Sequence, residues 1–188
     1  FMSFESEAWS IRWYKQMLGI CDPDAVITTV CTDKWMRGTV NSFYIGFVST
    51  FLATALGTVA ALGLSRPHMP FKGLIMAILI SPMIVPLIIT AAGMFFFYSK
   101  LGLTHSYTGL ILAHTALGTP FVVITVTATL TGFDNNLIRA SQSLGGDTMR
   151  TFFKVIMPLV LPGVISGALF AFVTSFDEVV VVLFVGSV

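Results

Sequence analysis

The stretch NLIRASQSLGGDTMRTFFKVIMPLVLPG, residues 136–163, lies between two long apolar runs and determines how the chain is organised. It is polar at its start, is divided by the pair Gly145 and Gly146, and becomes apolar toward its end. A segment of this kind between two runs of membrane-spanning length predicts a loop that leaves the bilayer and folds beside it.

Apolar runs account for most of the chain. Of its 188 residues, 55% are hydrophobic and only 10% are charged, and the mean hydropathy is +0.89. Soluble domains carry about 25% charged residues. The charge-free runs 38–65, 73–99 and 101–133 each exceed the ~20 residues that span a hydrocarbon core. A fourth run extends from about residue 155 to 188, interrupted by Asp177 and Glu178. We therefore expect an all-α, polytopic membrane helical bundle.

The basic residues of the short loops indicate an orientation. Arg66, Lys72 and the basic residues of loop 134–158 lie on one side, whereas Lys100 lies on the other. The positive-inside tendency therefore predicts that loops 66–72 and 134–158 are cytoplasmic and that loop 100–107 is external. Residues 1–39 are then an external segment, and residues 40–188 form the transmembrane domain. With a net charge of +1, nothing points to nucleic acid, and membrane lipid is the expected surrounding.

The external segment contains two further features. Trp9, Trp13 and Met17 recur at helical spacing, which predicts a short amphipathic helix at the membrane interface or packed against the bundle. Cys21 and Cys31 can form a small-loop disulfide if the segment faces an oxidising compartment; two unpaired thiols are the alternative.

The opening stretch has the signals of two helices. Asp134, Asn135 or Asn136 can cap a helix that ends near Leu144, where Gly145 can supply a left-handed residue. Asp147 can cap a second helix that runs toward Pro158. This arrangement of two helices joined by a glycine turn at the membrane surface predicts a segment that docks into a partner protein. An amphipathic loop helix without a partner is the alternative.

This stretch resembles the cytoplasmic EAA loop of the permeases of ABC importers. Ala140, Ser141, Gly145, Ile156 and Pro158 fall on the family's pattern, whereas Arg139 replaces its Glu. The segments SFESEAWSIRWY, NSF, SPMIVP, PFVVITVTATLTGFD and SFDEVVVVLF extend the resemblance along the chain, which is similar to the second permease subunit of spermidine/putrescine-type transporters. Since the chain opens on Phe1 and stops at Val188 inside an apolar run, we expect a fragment with about four of six transmembrane helices.

The resemblance implies a type I ABC importer permease fold in the bacterial inner membrane. Such a chain is not an enzyme but forms half of a translocation pathway that works by alternating access. The implied partners are a homologous second permease, cytoplasmic ATP-binding subunits that hold ATP–Mg, and a periplasmic solute-binding protein. The implied substrate is a polyamine such as putrescine or spermidine, with an opine or another small solute as the alternative. The coupling loop is expected to use Arg139, Ala140, Ser141, Leu144, Gly145, Gly146, Asp147 and Pro158.

The polar residues of the apolar runs are the candidates for the substrate pathway. Asp177 and Glu178, with Ser175 nearby, can line the path of a cationic amine; pairing with another subunit or contact with water is the alternative. His114 is a further candidate, although interhelical hydrogen bonding also accounts for it. A second functional hypothesis is a self-contained channel or ion-coupled carrier, in which Asp177 and Glu178 would form the ion or proton site. The sequence contains no phosphate-binding G-x-x-x-x-G-K-[ST] motif and no H-E-x-x-H motif, so we expect no catalytic residue, cofactor or metal in this chain.

Overall fold

The computed structural model describes residues 34–66, 69–134 and 136–186, and the regular structure in these ranges is helical. The features predicted in residues 1–33, including Trp9, Cys21 and Cys31, lie outside the described residues. The helices are α1 (Lys34–Leu64), α2 (Lys72–Ile84), α3 (Leu87–Leu101), α4 (Tyr107–Thr131), α5 (Asn136–Ser143), α6 (Thr148–Thr151), α7 (Met157–Asp177) and α8 (Val180–Val185). A π-helical turn, Phe152–Ile156, joins α6 to α7. The predicted all-α fold is confirmed.

Three helical stretches in the described part of the chain are long and apolar enough to cross a membrane. They are Met36–Leu64, Tyr107–Thr131 and Thr148–Asp177. The chain divides into two units, Phe1–Tyr44 and Ile45–Val188. The described residues of the first unit are helical, and the second unit contains the other helices and the cores described below.

The run 73–99, predicted as one span, is broken in the structure. Helices α2 and α3 together meet the criteria for a span, but their axes differ by 103°. Val85 is extended, with ψ 136°, and Pro86 follows it. Proline disfavours the helical conformation of the residue before it and has no N–H to donate. The helix therefore ends at Ile84 and begins again at Leu87.

The fourth apolar run is also divided. Helix α7 ends at Asp177, and Glu178 is extended with φ −79° and ψ 106°. The Glu178 Oε1 atom accepts a hydrogen bond of 2.9 Å from the backbone N–H of Val181, at the start of α8. The chain therefore leaves the helix between Asp177 and Glu178, and the two acids do not belong to one helix.

Helices α4 and α7 form the centre of the second unit. They pack along most of their length, with Val122, Val126 and Val160 buried between the helices. A Cβ atom added to Gly167 would lie 2.8 Å from Val122 Cα, so the two backbones approach closely at this glycine. Small residues allow such an approach in membrane bundles. A second core, around Leu110, packs against the N-terminal half of α4 and includes Val181 of α8.

Candidate functional site

The predicted coupling loop, residues 134–158, begins as the sequence indicates. Asp134 Oδ1 accepts a hydrogen bond of 2.9 Å from the N–H of Asn136, at the start of α5. The helix ends at Ser143, and Gly145 is left-handed with φ 79°. Gly145 N–H donates to Gln142 O at 3.0 Å and Gly146 N–H to Ser141 O at 2.9 Å. These two bonds form a Schellman motif, which satisfies the last carbonyl groups of α5.

The second half of the loop is fixed by a cap and a cross-link. Asp147 Oδ1 accepts a hydrogen bond of 2.7 Å from the N–H of Arg150, which caps α6. The hydroxyl groups of Ser141 and Thr151 are 2.9 Å apart, and Thr151 is buried. This bond ties α5 to α6 across the elbow. The predicted arrangement of helix, glycine elbow and helix is confirmed.

The connection from the loop to the membrane span differs from expectation. The second helix does not run uninterrupted to Pro158, because Phe152–Ile156 is a π-helical turn. Pro158 then lies at the start of α7, directly after the π turn, and it has no N–H to donate to the carbonyl groups of that turn. The sequence carries no clear signal for the π turn, and such turns often occur at functional sites.

One face of α5 is open. Leu144 is 89% exposed and Leu137 is 43% exposed, and Ala140 and Ser143 are also exposed. We call these four residues the open face of α5. Arg139 is exposed beside it, whereas Ile138 is half-buried. The candidate coupling residues thus form one compact element with apolar side chains available for contact.

Two of the candidate pathway residues meet in the bundle. His114 Nδ1 lies 2.8 Å from Ser175 Oγ, and Ser175 Oγ lies 3.1 Å from Ser49 Oγ. Ser49 Oγ in turn donates to Ile45 O at 2.7 Å. All three side chains are buried, with His114 only 3% exposed. The chain of hydrogen bonds joins α1, α4 and α7 at one level.

One set of hydrogen-bond directions links the three side chains to a single histidine tautomer. If the hydroxyl proton of Ser49 goes to Ile45 O, Ser49 Oγ accepts from Ser175. The Ser175 oxygen then accepts from His114, which places a proton on Nδ1. In this network Nε2 carries a lone pair. It is buried and has no hydrogen-bond partner among the described residues.

The two acids have different positions. Asp177 is exposed at the end of α7, whereas Glu178 is half-buried and accepts a hydrogen bond from the first turn of α8. Glu178 also lies near enough to His114 for an electrostatic interaction. Ser175, His114 and Glu178 therefore lie near one another, whereas Asp177 is exposed at the end of α7. Sequence reasoning missed Ser49, because a lone serine in an apolar run gives no signal of a buried network.

No group of three metal-ligating side chains occurs in the residues that the structure describes.

The chain matches known transport proteins. The model of the binding-protein-dependent transport system inner membrane component family matches residues 53–188, more than two thirds of the chain. The chain is 29% identical to the spermidine/putrescine transport system permease protein PotC of Haemophilus influenzae, over 100% of this chain and 67% of that protein. It is 27% identical to PotC of Escherichia coli, over 95% of this chain and 63% of that protein.

A third relative is named for a different substrate. The sulfoquinovosyl glycerol transport system permease protein SmoH of Agrobacterium fabrum is 30% identical over 76% of this chain and 50% of that protein. The chain thus spans between half and about two thirds of the length of these relatives.

The family match and the apolar helices agree on where the chain resides. The family is described as an inner membrane component, and several helices of the described residues can cross a bilayer. The predicted multi-pass location in the bacterial inner membrane is confirmed, as is the resemblance to ABC importer permeases. The chain belongs to the family of binding-protein-dependent transport system inner membrane components.

Proposed function

We propose that this chain forms half of the translocation pathway of an ATP-driven importer and that its substrate is a polyamine. The observation that carries the proposal is the open face of α5, held outside the spans by the elbow at Gly145 and Gly146. The other half would be a homologous permease. ATP–Mg would be bound and hydrolysed by separate cytoplasmic subunits, and a periplasmic binding protein would deliver the solute.

The coupling loop can pass a movement of the ATP-binding subunit to the membrane span. The open face of α5 seats in a cleft of the ATP-binding subunit, with Leu144 and Ala140 as its apolar contacts. The bond between Ser141 and Thr151 ties α5 to the segment that continues into α7. A displacement of α5 is therefore passed to the span. Alternating access follows if the two pore states differ in how α5 contacts the ATP-binding subunit.

The substrate proposal rests on the relatives and on the polar groups near α7. The two relatives named for spermidine and putrescine cover nearly all of this chain, whereas the relative named for sulfoquinovosyl glycerol covers less of it. Asp177 and Glu178 supply negative charge for a cationic amine. His114 Nε2 is an acceptor for an ammonium N–H, and Ser175 orients it.

The coupling part is tested by capture of the ATP-binding subunit encoded beside the full-length protein. Gly145→Pro removes the N–H donated to Gln142 and imposes φ near −65°, against the observed 79°. Gly145→Asn is the matched control, since Asn tolerates the left-handed region. We expect capture by the native protein and the Asn variant and loss with Pro. Capture by all three, or by none, contradicts docking through this loop.

The substrate part is tested by uptake of radiolabelled putrescine and spermidine in cells that express the complete transporter. We expect uptake that requires the ATP-binding subunit, persists when the proton gradient is collapsed, and falls several-fold in Glu178→Gln. Uptake that follows the proton or sodium gradient without that subunit would instead identify an ion-coupled carrier. ATP-dependent uptake of another solute, with no polyamine uptake, would refute only the substrate.

A further inference from the structure

A cavity of about 480 Å³ lies behind the coupling loop. Its apolar walls are formed by Leu62, Leu130, Phe133, Ile138, Phe152 and Ile156. Leu62 and Leu130 belong to the last turns of α1 and α4, whereas Ile138 and Phe152 belong to the coupling loop. The cavity therefore lies between the ends of two spans and the loop. We call it the joint cavity.

The rim of the joint cavity is polar. Ser65, Arg66 and Gln142 contribute to the lining, and Arg66 and Gln142 are exposed. No acidic side chain of the described residues pairs with the Arg66 guanidinium. An apolar interior beside an unneutralised cation is complementary to an amphiphile with an anionic head group.

The depth of the joint cavity agrees with this chemistry. The excess of Lys and Arg in loops 66–72 and 134–158 places the ends of α1 and α4 at the cytoplasmic side. Their last turns lie where acyl chains give way to head groups, and cytoplasmic leaflets rich in anionic lipid attract basic side chains at that level.

The ATP-binding subunit would not fill the joint cavity. Ile138 and Gln142 are one turn apart and both line it, whereas Ala140 is about 200° from Ile138 around the helix. The open face of α5 is thus turned away from the joint cavity. A partner on the open face and an occupant of the joint cavity can be bound by α5 at the same time.

We propose that the joint cavity binds an anionic phospholipid of the cytoplasmic leaflet. Its phosphate pairs with Arg66, and an acyl chain lies against Leu62 and Phe152. The lipid fills the space between α5 and the spans, at the place where movement of the loop must be passed to the membrane helices. This binding does not depend on which solute the transporter carries.

The test is retention of lipid by the full-length protein in detergent, counted by native mass spectrometry. The protein is offered phosphatidylglycerol and phosphatidylcholine with identical acyl chains. We expect preferential retention of phosphatidylglycerol. Arg66→Gln should lower its affinity about fivefold, the effect of one basic side chain at an anionic surface. Ser65→Leu, which places a larger side chain in the joint cavity, should also lower it.

The control is Lys72→Gln, which removes a positive charge at the start of α2 without touching the joint cavity. It should leave retention unchanged. Equal retention of both lipids by the native protein, or an unchanged affinity in Arg66→Gln, overturns the proposal. So does displacement of the lipid by inorganic phosphate at millimolar concentration, which would indicate a site for the free ion.

A second measurement uses the native protein and so does not depend on the folding of a variant. Phosphatidylglycerol with a photoactivatable group on its acyl chain is crosslinked, and the labelled peptides are mapped. We expect label on the peptides that contain Leu62 and Phe152. Label confined to the exposed residues of α2, such as Ile78, would show only general lipid contact and would overturn the proposal.

Discussion

Gly167 sets how closely two membrane helices can approach. A Cβ atom at this position would lie 2.5 Å from Thr125 Oγ1 and 2.8 Å from Val122 Cα. Real side chains do not come so near to backbone atoms, so any larger residue must push α4 and α7 apart. The preceding residue, Ser166, is exposed. These neighbours therefore offer a matched pair for measuring the contact.

We expect Gly167→Leu to lower the free energy of unfolding by about 1–3 kcal/mol, the usual effect of overpacking a close contact. Ser166→Leu adds the same side chain on the exposed side and should change it by less than about 0.5 kcal/mol. The measurement is the thermal unfolding midpoint of the purified full-length protein in one detergent. Equal midpoints for the two variants would contradict the close contact.

The buried hydrogen-bond network leads to a prediction about which ring nitrogen of His114 carries the proton. If Ser49 donates to Ile45 O, His114 carries its proton on Nδ1 and leaves Nε2 bare. Nitrogen NMR of labelled histidine should therefore show this tautomer at His114. Ser175→Ala removes the acceptor and should abolish the preference, at a stability cost of about 0.6 kcal/mol and at most ~1.7 kcal/mol. A signal from the Nε2-protonated tautomer in the native protein would contradict the hydrogen-bond directions.

Little of this network could be predicted from the sequence. His114 and Ser175 were both candidates because polar groups in apolar runs need partners. Their hydrogen bond could not be predicted from the sequence, since the two residues are 61 positions apart and belong to different helices. Ser49 gave no signal, because serine in a membrane helix commonly bonds its own backbone, as Ser49 also does.

At the level of the helices and loops, the sequence predicted the structure correctly where the stabilising hydrogen bonds join residues only a few positions apart. The capping Asp147 and the left-handed Gly145 mark the coupling loop, because caps and elbows bond to their own neighbours. The break before Pro86 is different. Pro82, Pro120 and Pro162 remain inside helices, so packing, which one sequence does not reveal, decides which proline interrupts a span.

Loss of the α6 cap should loosen the coupling loop. Asp147→Ala removes the acceptor for the N–H of Arg150 and should destabilise the local structure by about 1 kcal/mol. Asp147→Asn keeps a side-chain oxygen and serves as the control. Amide hydrogen exchange of residues 148–151 should accelerate about fivefold in the Ala variant and stay near native in the Asn variant. Equal exchange in both variants would show that the cap does not hold the loop.

At the scale of the whole molecule, the predicted orientation can be measured directly. Ser143 is exposed in the coupling loop, and Ser99 is exposed near the end of α3. We expect Ser143→Cys to react with a membrane-impermeant maleimide only from the cytoplasmic side and Ser99→Cys only from the external side. Both variants are made in a protein that also carries Cys21→Ser and Cys31→Ser, so that neither of these cysteines reacts. Labelling of both positions from one side would contradict the assigned loops.

The pairing of α4 with α7 also has a consequence for how the protein is made. When the ribosome has completed Thr131, α4 is finished, but Ser175 and the glycines of α7 do not yet exist. At about 5–20 residues per second, α7 follows only several seconds later. During that time the imidazole of His114 has no serine partner from α7. The time needed to synthesise residues 132–177 therefore separates the completion of α4 from the formation of its hydrogen-bonded contact with α7.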